Sequence, residues 1–177
     1  MKTKVQVTEE LLIKFQMKMA YYVTMANIFA AKNGLPSFNT PTYEFNLYGT
    51  VSGKASLKAH HCMFHAVIYM ENVEKYLETT LPHELAHLVA SVWYGHRGHG
   101  FPWEKVMDEV FKAPVKRYHT YNVANVVTKK QHVHLYTCNC NKTFKLKTTT
   151  HNRIKTGQRK YFCKACKSTL RLMLQEF

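Results

Sequence analysis

Apolar positions in the first fifth of the chain recur every three or four residues. Leu12, Phe15, Met19, Tyr22, Ala26 and Phe29 fall on one stripe of a helix from Thr8 to Asn33, with Glu9 and Glu10 in its first turn and Gly34 and Pro36 past its end. The stripe is too short for a coiled coil and predicts a helix packed on a core. From Tyr43 the period drops to two. Tyr43-Glu44-Phe45-Asn46-Leu47-Tyr48 alternates, Gly49 to Leu57 is small and polar, and Cys62 to Met70 is almost wholly apolar. This predicts three short, mostly antiparallel strands, the last buried on both faces. Glu71 to Tyr76 reads as a short helix or turn. A longer helix follows from about Glu78 to Tyr94, with Thr79, Thr80 and Pro82 as start signals and Gly95 as its stop. Past a glycine-rich return, Trp103, Val106, Met107, Val110 and Phe111 mark the apolar side of a helix over Phe101 to Lys112, which Ala113-Pro114 ends. Val115 to Lys130 has no period and reads as a linker. Further on, Phe144-Lys145-Leu146-Lys147 alternates as a strand does.

Helices with a small sheet make an α+β chain, and 46% hydrophobic residues in 177 give it a sizeable core. Met19 to Ala31, the most apolar stretch near the start, is interrupted by Thr24 and Asn27 and falls short of the roughly 20 residues a membrane span needs. Met1-Lys2-Thr3-Lys4-Val5-Gln6 lacks the apolar segment of a signal peptide. The expectation is an intracellular, reducing location, cytoplasmic and associated with DNA, where paired cysteines are metal ligands before they are disulfides.

Charge divides the chain unevenly. Residues 1–109 hold 10 Lys and Arg against 10 Asp and Glu, whereas residues 110–177 hold 15 Lys and Arg against Glu176 alone, so the whole net charge of +14 lies in the C-terminal part. With aromatics between the bases, that asymmetry predicts nucleic-acid contact.

Two spacings carry chemistry. In Leu81-Pro82-His83-Glu84-Leu85-Ala86-His87-Leu88, His83 and His87 stand four apart on a helix and can aim two imidazoles at one zinc ion, with Glu84 beside them as general base toward a water. Roughly 0.04 such HExxH matches are expected by chance in a chain of this composition. A third ligand is needed. His99, between Gly98 and Gly100, is the first choice, with His96, Glu104 and Asp108 as alternatives. The second spacing is Cys138-Asn139-Cys140 and, after 22 intervening residues, Cys163-Lys164-Ala165-Cys166. Two such knuckles can place four thiolates round a structural zinc, as in a zinc ribbon, with His134 or His151 as a substitute for one cysteine. Cys62 has no cysteine neighbour and reads as core, and His60, His61 and His65 as ordinary strand or loop residues.

HELAH preceded by Leu-Pro, the following Gly-His-Gly and Trp103, Lys116-Arg117-Tyr118-His119, and cysteine pairs flanking His151-Asn152-Arg153 together resemble the SprT family, from Thr8 to Leu174. The family takes in the bacterial SprT and the Spartan-like DNA-dependent proteases. The resemblance implies a zincin-like metalloprotease domain over residues 1–114, then a linker and basic zinc-ribbon subdomain over 115–177. It gives metal roles to His83, His87 and His99 and the base role to Glu84. It further implies one catalytic and one structural zinc, and peptide hydrolysis on DNA-bound or DNA-crosslinked proteins. Pro102 departs from the pattern, which has Glu there; Glu104 is near enough to substitute. Lys142, Lys145, Lys147, Arg153, Lys155, Arg159 and Lys160 are the expected DNA contacts, favouring single strands through stacking on Tyr136, Phe144, Tyr161 or Phe162. A sheet edge beside the metal helix is expected to take the substrate as an added strand. The rival expectations are a zinc-ribbon nucleic-acid binder with little or no protease activity, and a peptidase whose basic half grips an acidic protein.

Overall fold

A computed structural model describes residues 5–126 and 132–173. The chain falls into two compact units, residues 1–128 and 129–177. In the first, α1 (Glu9–Asn33) follows its apolar stripe. Thr8 caps it by accepting from the Leu11 N–H, Gly34 closes it at φ 65°, and Phe15, Met19, Tyr22 and Ala26 are buried.

The strands β1 (Thr42–Phe45), β2 (Gly53–Ser56) and β3 (His61–Phe64) lie in the order β1-β3-β2. The sheet is not mostly antiparallel. β2 pairs antiparallel with β3, but β1 pairs with it in parallel, because the chain crosses the sheet before β2 and returns through the tight turn at His60. Nor is β3 buried on both faces: Cys62 and Phe64 face the core, while His61 and Met63 are half-buried. The apolar run that begins at Cys62 is cut by His65, whose ring accepts from the Ile68 N–H and caps a second helix, α2 (Ala66–Glu71).

Next comes α3 (Val73–Tyr94), which begins earlier than Thr79 and Pro82 suggest and keeps Pro82 inside it. Burial of Tyr76 and Leu77 holds the first turns in place, against a cost of about 3 kcal/mol for an interior proline. Gly95 ends the helix at φ 63°. After it, α4 (Phe101–Lys105) runs into one π-helical turn, Val106–Val110, with Trp103, Val106, Met107 and Val110 buried.

Residues 115–126 form no regular element, yet they pack on the first unit. Tyr121 is buried with its hydroxyl 2.7 Å from Thr79 Oγ1 and 2.9 Å from Thr80 Oγ1, and Val126 joins the core.

In the second unit β4 (Val133–Thr137) lies between β5 (Thr143–Lys147) and β6 (Arg171–Leu172), both antiparallel to it. A short helix, α5 (Thr148–Lys155), follows β5 directly; its threonine-rich opening gave no sign of it. The core here is small, with Tyr136, Cys138, Cys163 and Leu170 as its buried residues. Among the described residues no helix is long and apolar enough to cross a membrane.

Candidate metal centre

One turn of α3 places His83 and His87 on the same face, and the loop after Gly95 brings His99 to meet them. The Nε2 atoms of His99 and His83 lie 2.9 Å apart, and those of His99 and His87 3.2 Å apart. All three residues offer a nitrogen within 4.8 Å of the others, which makes them a group able to hold a metal ion. Donors around one tetrahedral ion at about 2.0–2.1 Å stand about 3.3 Å apart, so the spacing fits.

Neighbouring residues aim the rings. His83 Nδ1 faces the Lys116 carbonyl at 3.2 Å, which leaves Nε2 to face His99 as a donor a metal ion could use. Arg117 donates to the His99 carbonyl at 3.2 Å and is balanced by Glu104 at 3.3 Å. Glu104 thus supports the site through Arg117. The Trp103 indole donates to the His83 carbonyl at 3.2 Å, and its ring lies 4.8, 5.7 and 4.7 Å from those of His83, His87 and His99. The other candidates for third ligand are elsewhere. His96 accepts from the Gly100 N–H at 3.1 Å and so braces the loop, and Asp108 is exposed in the π-helical turn.

Burial, and then the neighbouring imidazoles, pull His83 down to about 4 and His87 to about 3; burial and Arg117 lower His99 as well. All three keep their lone pairs free at neutral pH. Glu84 is 6% exposed, and burial pushes its carboxyl up to about 8, opposed by a hydrogen bond from the Ala55 backbone. A nearby dication would draw it back toward the ionised form.

That hydrogen bond comes from β2, one of the two edge strands of the sheet. The Ser52 carbonyl accepts from the His65 N–H at 3.0 Å, and antiparallel pairs alternate, so Lys54 and Ser56 bond inward to β3. Gly53 and Ala55 therefore turn their backbone groups outward, toward Glu84. A Cβ on Gly53 would stand 2.7 Å from Glu84 Oε1, so nothing larger than glycine fits.

In the second unit Cys138, Cys140, Cys163 and Cys166 bring their four sulfurs within 4.8 Å of one another, a second group able to hold a metal ion. Cys138 and Cys140 are 3.1 Å apart and Cys140 and Cys163 3.8 Å apart, far beyond a disulfide bond. Hydrogen bonds from Ser168 hold the Cys166 thiol down at about 5. His134 and His151 are not in the group. Their rings stack at 3.7 Å, and His151 Nδ1 pairs with the Tyr136 hydroxyl at 3.0 Å. Lys142, Lys145, Lys147, Arg153, Lys155, Arg159 and Lys160 are all exposed, as is Phe162; Tyr136 is core, and Phe144 and Tyr161 pack against it.

The model of the SprT-like family matches residues 24–119. Protein SprT of Proteus mirabilis is 31% identical over 134 residues, 75% of this chain and 78% of that protein. The chain belongs to the SprT family. Protein SprT of Pseudomonas aeruginosa is 37% identical over 138 residues, covering 76% and 81%, and that of Vibrio atlanticus 34% over 134 residues, covering 75% and 78%. No solved structure matches significantly. The SprT family match spans His83, Glu84, His87 and His99 and also Lys116 and Arg117, whose support of the site carries no local sequence signal. The same holds for Gly53, which only its closeness to Glu84 singles out.

Proposed function

We propose that this SprT family member is a zinc-dependent metallopeptidase that hydrolyses peptide bonds in proteins held on or crosslinked to DNA. The observation that carries the reading is the convergence of His83, His87 and His99 beside a buried Glu84 at the open edge of β2. The three neutral imidazoles would hold zinc in a zincin-like site. Zinc when bound polarises the scissile carbonyl and lowers the pKa of water toward about 7. The outward backbone of Gly53, beside the Ala55 N–H that holds Glu84, receives the substrate as an added strand and sets the scissile bond above Glu84. Glu84 takes the proton of the attacking water and passes it to the leaving amine. Its closed surroundings keep the carboxyl basic enough for both transfers.

In the second unit the four cysteines would hold a structural zinc as a zinc ribbon. The exposed lysines and arginines there neutralise phosphates, and Phe162, 56% exposed, is free to stack on an unpaired base. DNA binding then concentrates protein substrates beside the protease unit, which suits an intracellular location on DNA.

The test is cleavage of a DNA-binding protein by the zinc-loaded chain, with and without single-stranded DNA. Glu84→Gln should keep its zinc and lose about 100- to 10,000-fold in turnover. Near wild-type rates in that variant would sink the mechanism. DNA binding without cleavage would leave a binding protein, and cleavage indifferent to DNA would detach the basic unit from the activity.

A further inference from the structure

The cleft beside the metal centre, about 540 Å³, carries positive charge that its own residues leave unbalanced. Its walls are residues 50–53, the face of α3 bearing Lys75, Thr79 and His83, and residues 116–121. Lys75, Lys116 and Arg117 line it against a single carboxylate, Glu84. Arg117 is paired with Glu104 at 3.3 Å. Lys75 donates to neutral oxygens, Thr120 Oγ1 at 3.0 Å and the Thr120 carbonyl at 3.4 Å. The Lys116 ammonium has no acidic partner among the described residues. Both lysines are exposed.

Their positions along the cleft follow from the helix. Lys75, Thr79 and His83 are spaced by four and share a face, which puts Lys75 about 12 Å from His83 along the axis. An extended peptide covers that length in about four residues. Lys116 is nearer, since its own carbonyl meets His83 Nδ1 at 3.2 Å. Direction follows too. Ser52 Oγ lies 3.4 Å from Thr80 Oγ1 and Ala55 bonds to Glu84, so β2 and α3 run in the same sense. A peptide added antiparallel to β2 therefore sends its C-terminal half toward Lys75.

We propose that the cleft selects peptides with an acidic side chain on the C-terminal side of the scissile bond, within about four residues of it, held by Lys116 and Lys75. The inference rests on the peptidase reading above and names the substrate of that same site. A nucleic-acid phosphate would meet the same cations, but they flank a strand edge built for a peptide backbone and lead to the candidate base.

Matched peptides carrying Asp, Asn or Lys at successive positions on either side of one bond test it. Cleavage is read with the zinc-loaded full chain, and binding with the full-chain Glu84→Gln variant, which reports affinity without turnover. One exposed ion pair should favour Asp over Asn by about three- to fivefold in both readouts, downstream of the bond only. Lys116→Glu should invert the preference toward Lys. Lys75→Met should abolish it at the far position, and Lys116→Glu serves as the independent variant because Lys75 also holds Thr120. Equal cleavage of all peptides overturns the acidic subsite and leaves the peptidase standing. Acid-dependent binding without any cleavage upholds the subsite and removes the peptidase. An upstream preference overturns the proposal, as does a single-stranded oligonucleotide whose binding falls on Lys116→Glu as much as the peptide's does.

Discussion

A methyl group on residue 53 would stand 2.7 Å from both Cγ and Oε1 of Glu84 and 2.9 Å from Thr80 Cγ2. Two of those three atoms belong to the candidate base, so its position depends on a missing side chain. Gly53→Ala should displace the carboxylate and cost about tenfold or more in kcat, while zinc content, read by elemental analysis, stays at the wild-type level. An unchanged kcat would mean that Glu84 does not act from where it lies. At this scale the sequence was readable where chemistry is local. His83, Glu84 and His87 sit within one helical turn, and the glycines flanking His99 announce a sharp return. Lys116 and Arg117 stood out only as part of a family motif; their support of the site was not legible, because they reach His83 and His99 across 33 and 18 residues and the atoms that meet are partly backbone carbonyls. No side-chain pattern records such a contact.

At the level of elements, tertiary burial overruled local signals. Pro82 reads as a first-turn residue, yet Tyr76 and Leu77 bury the turns before it and carry α3 through. The apolar run from Cys62 reads as one strand, but His65 is a cap, so the run becomes a strand and then a helix. The α1 boundaries were legible because Thr8 and Gly34 are strong stops on either side of a clean stripe. The free edge of β2 makes its own prediction. N-methylation of a substrate amide placed opposite Gly53 should raise KM about three- to tenfold by removing one backbone hydrogen bond, whereas N-methylation at the next residue should leave it unchanged. Equal sensitivity at both positions would argue against strand addition.

Across the whole molecule the two units differ in what holds them together. The first has a continuous core that includes Phe15, Tyr69, Leu85 and Trp103, whereas the second buries Tyr136, Cys138, Cys163 and Leu170, two of them candidate metal ligands. A chelator should therefore collapse hydrogen-exchange protection in β4 and β5 and leave α1 and α3 protected. Protection surviving in β4 would show that the sheet does not depend on a metal at the four cysteines. Binding through about five phosphates predicts a log–log salt slope near −3.5 on single-stranded DNA, and a flat response would remove nucleic acid from the function. The charge imbalance behind that expectation was plain from composition alone, since counting residues needs no fold.

The packing of residues 115–126 has one more consequence. Composition changes near Ala113-Pro114, and a protein engineer would cut there to free the unit that bears the histidines from the basic segment. The truncated product would lack the Lys116 carbonyl beneath His83, the Arg117 brace on His99 and the Tyr121 anchor on Thr79 and Thr80. Any chimera that grafts a different second unit onto the first has to retain that stretch, so the exchangeable cassette begins after Val126.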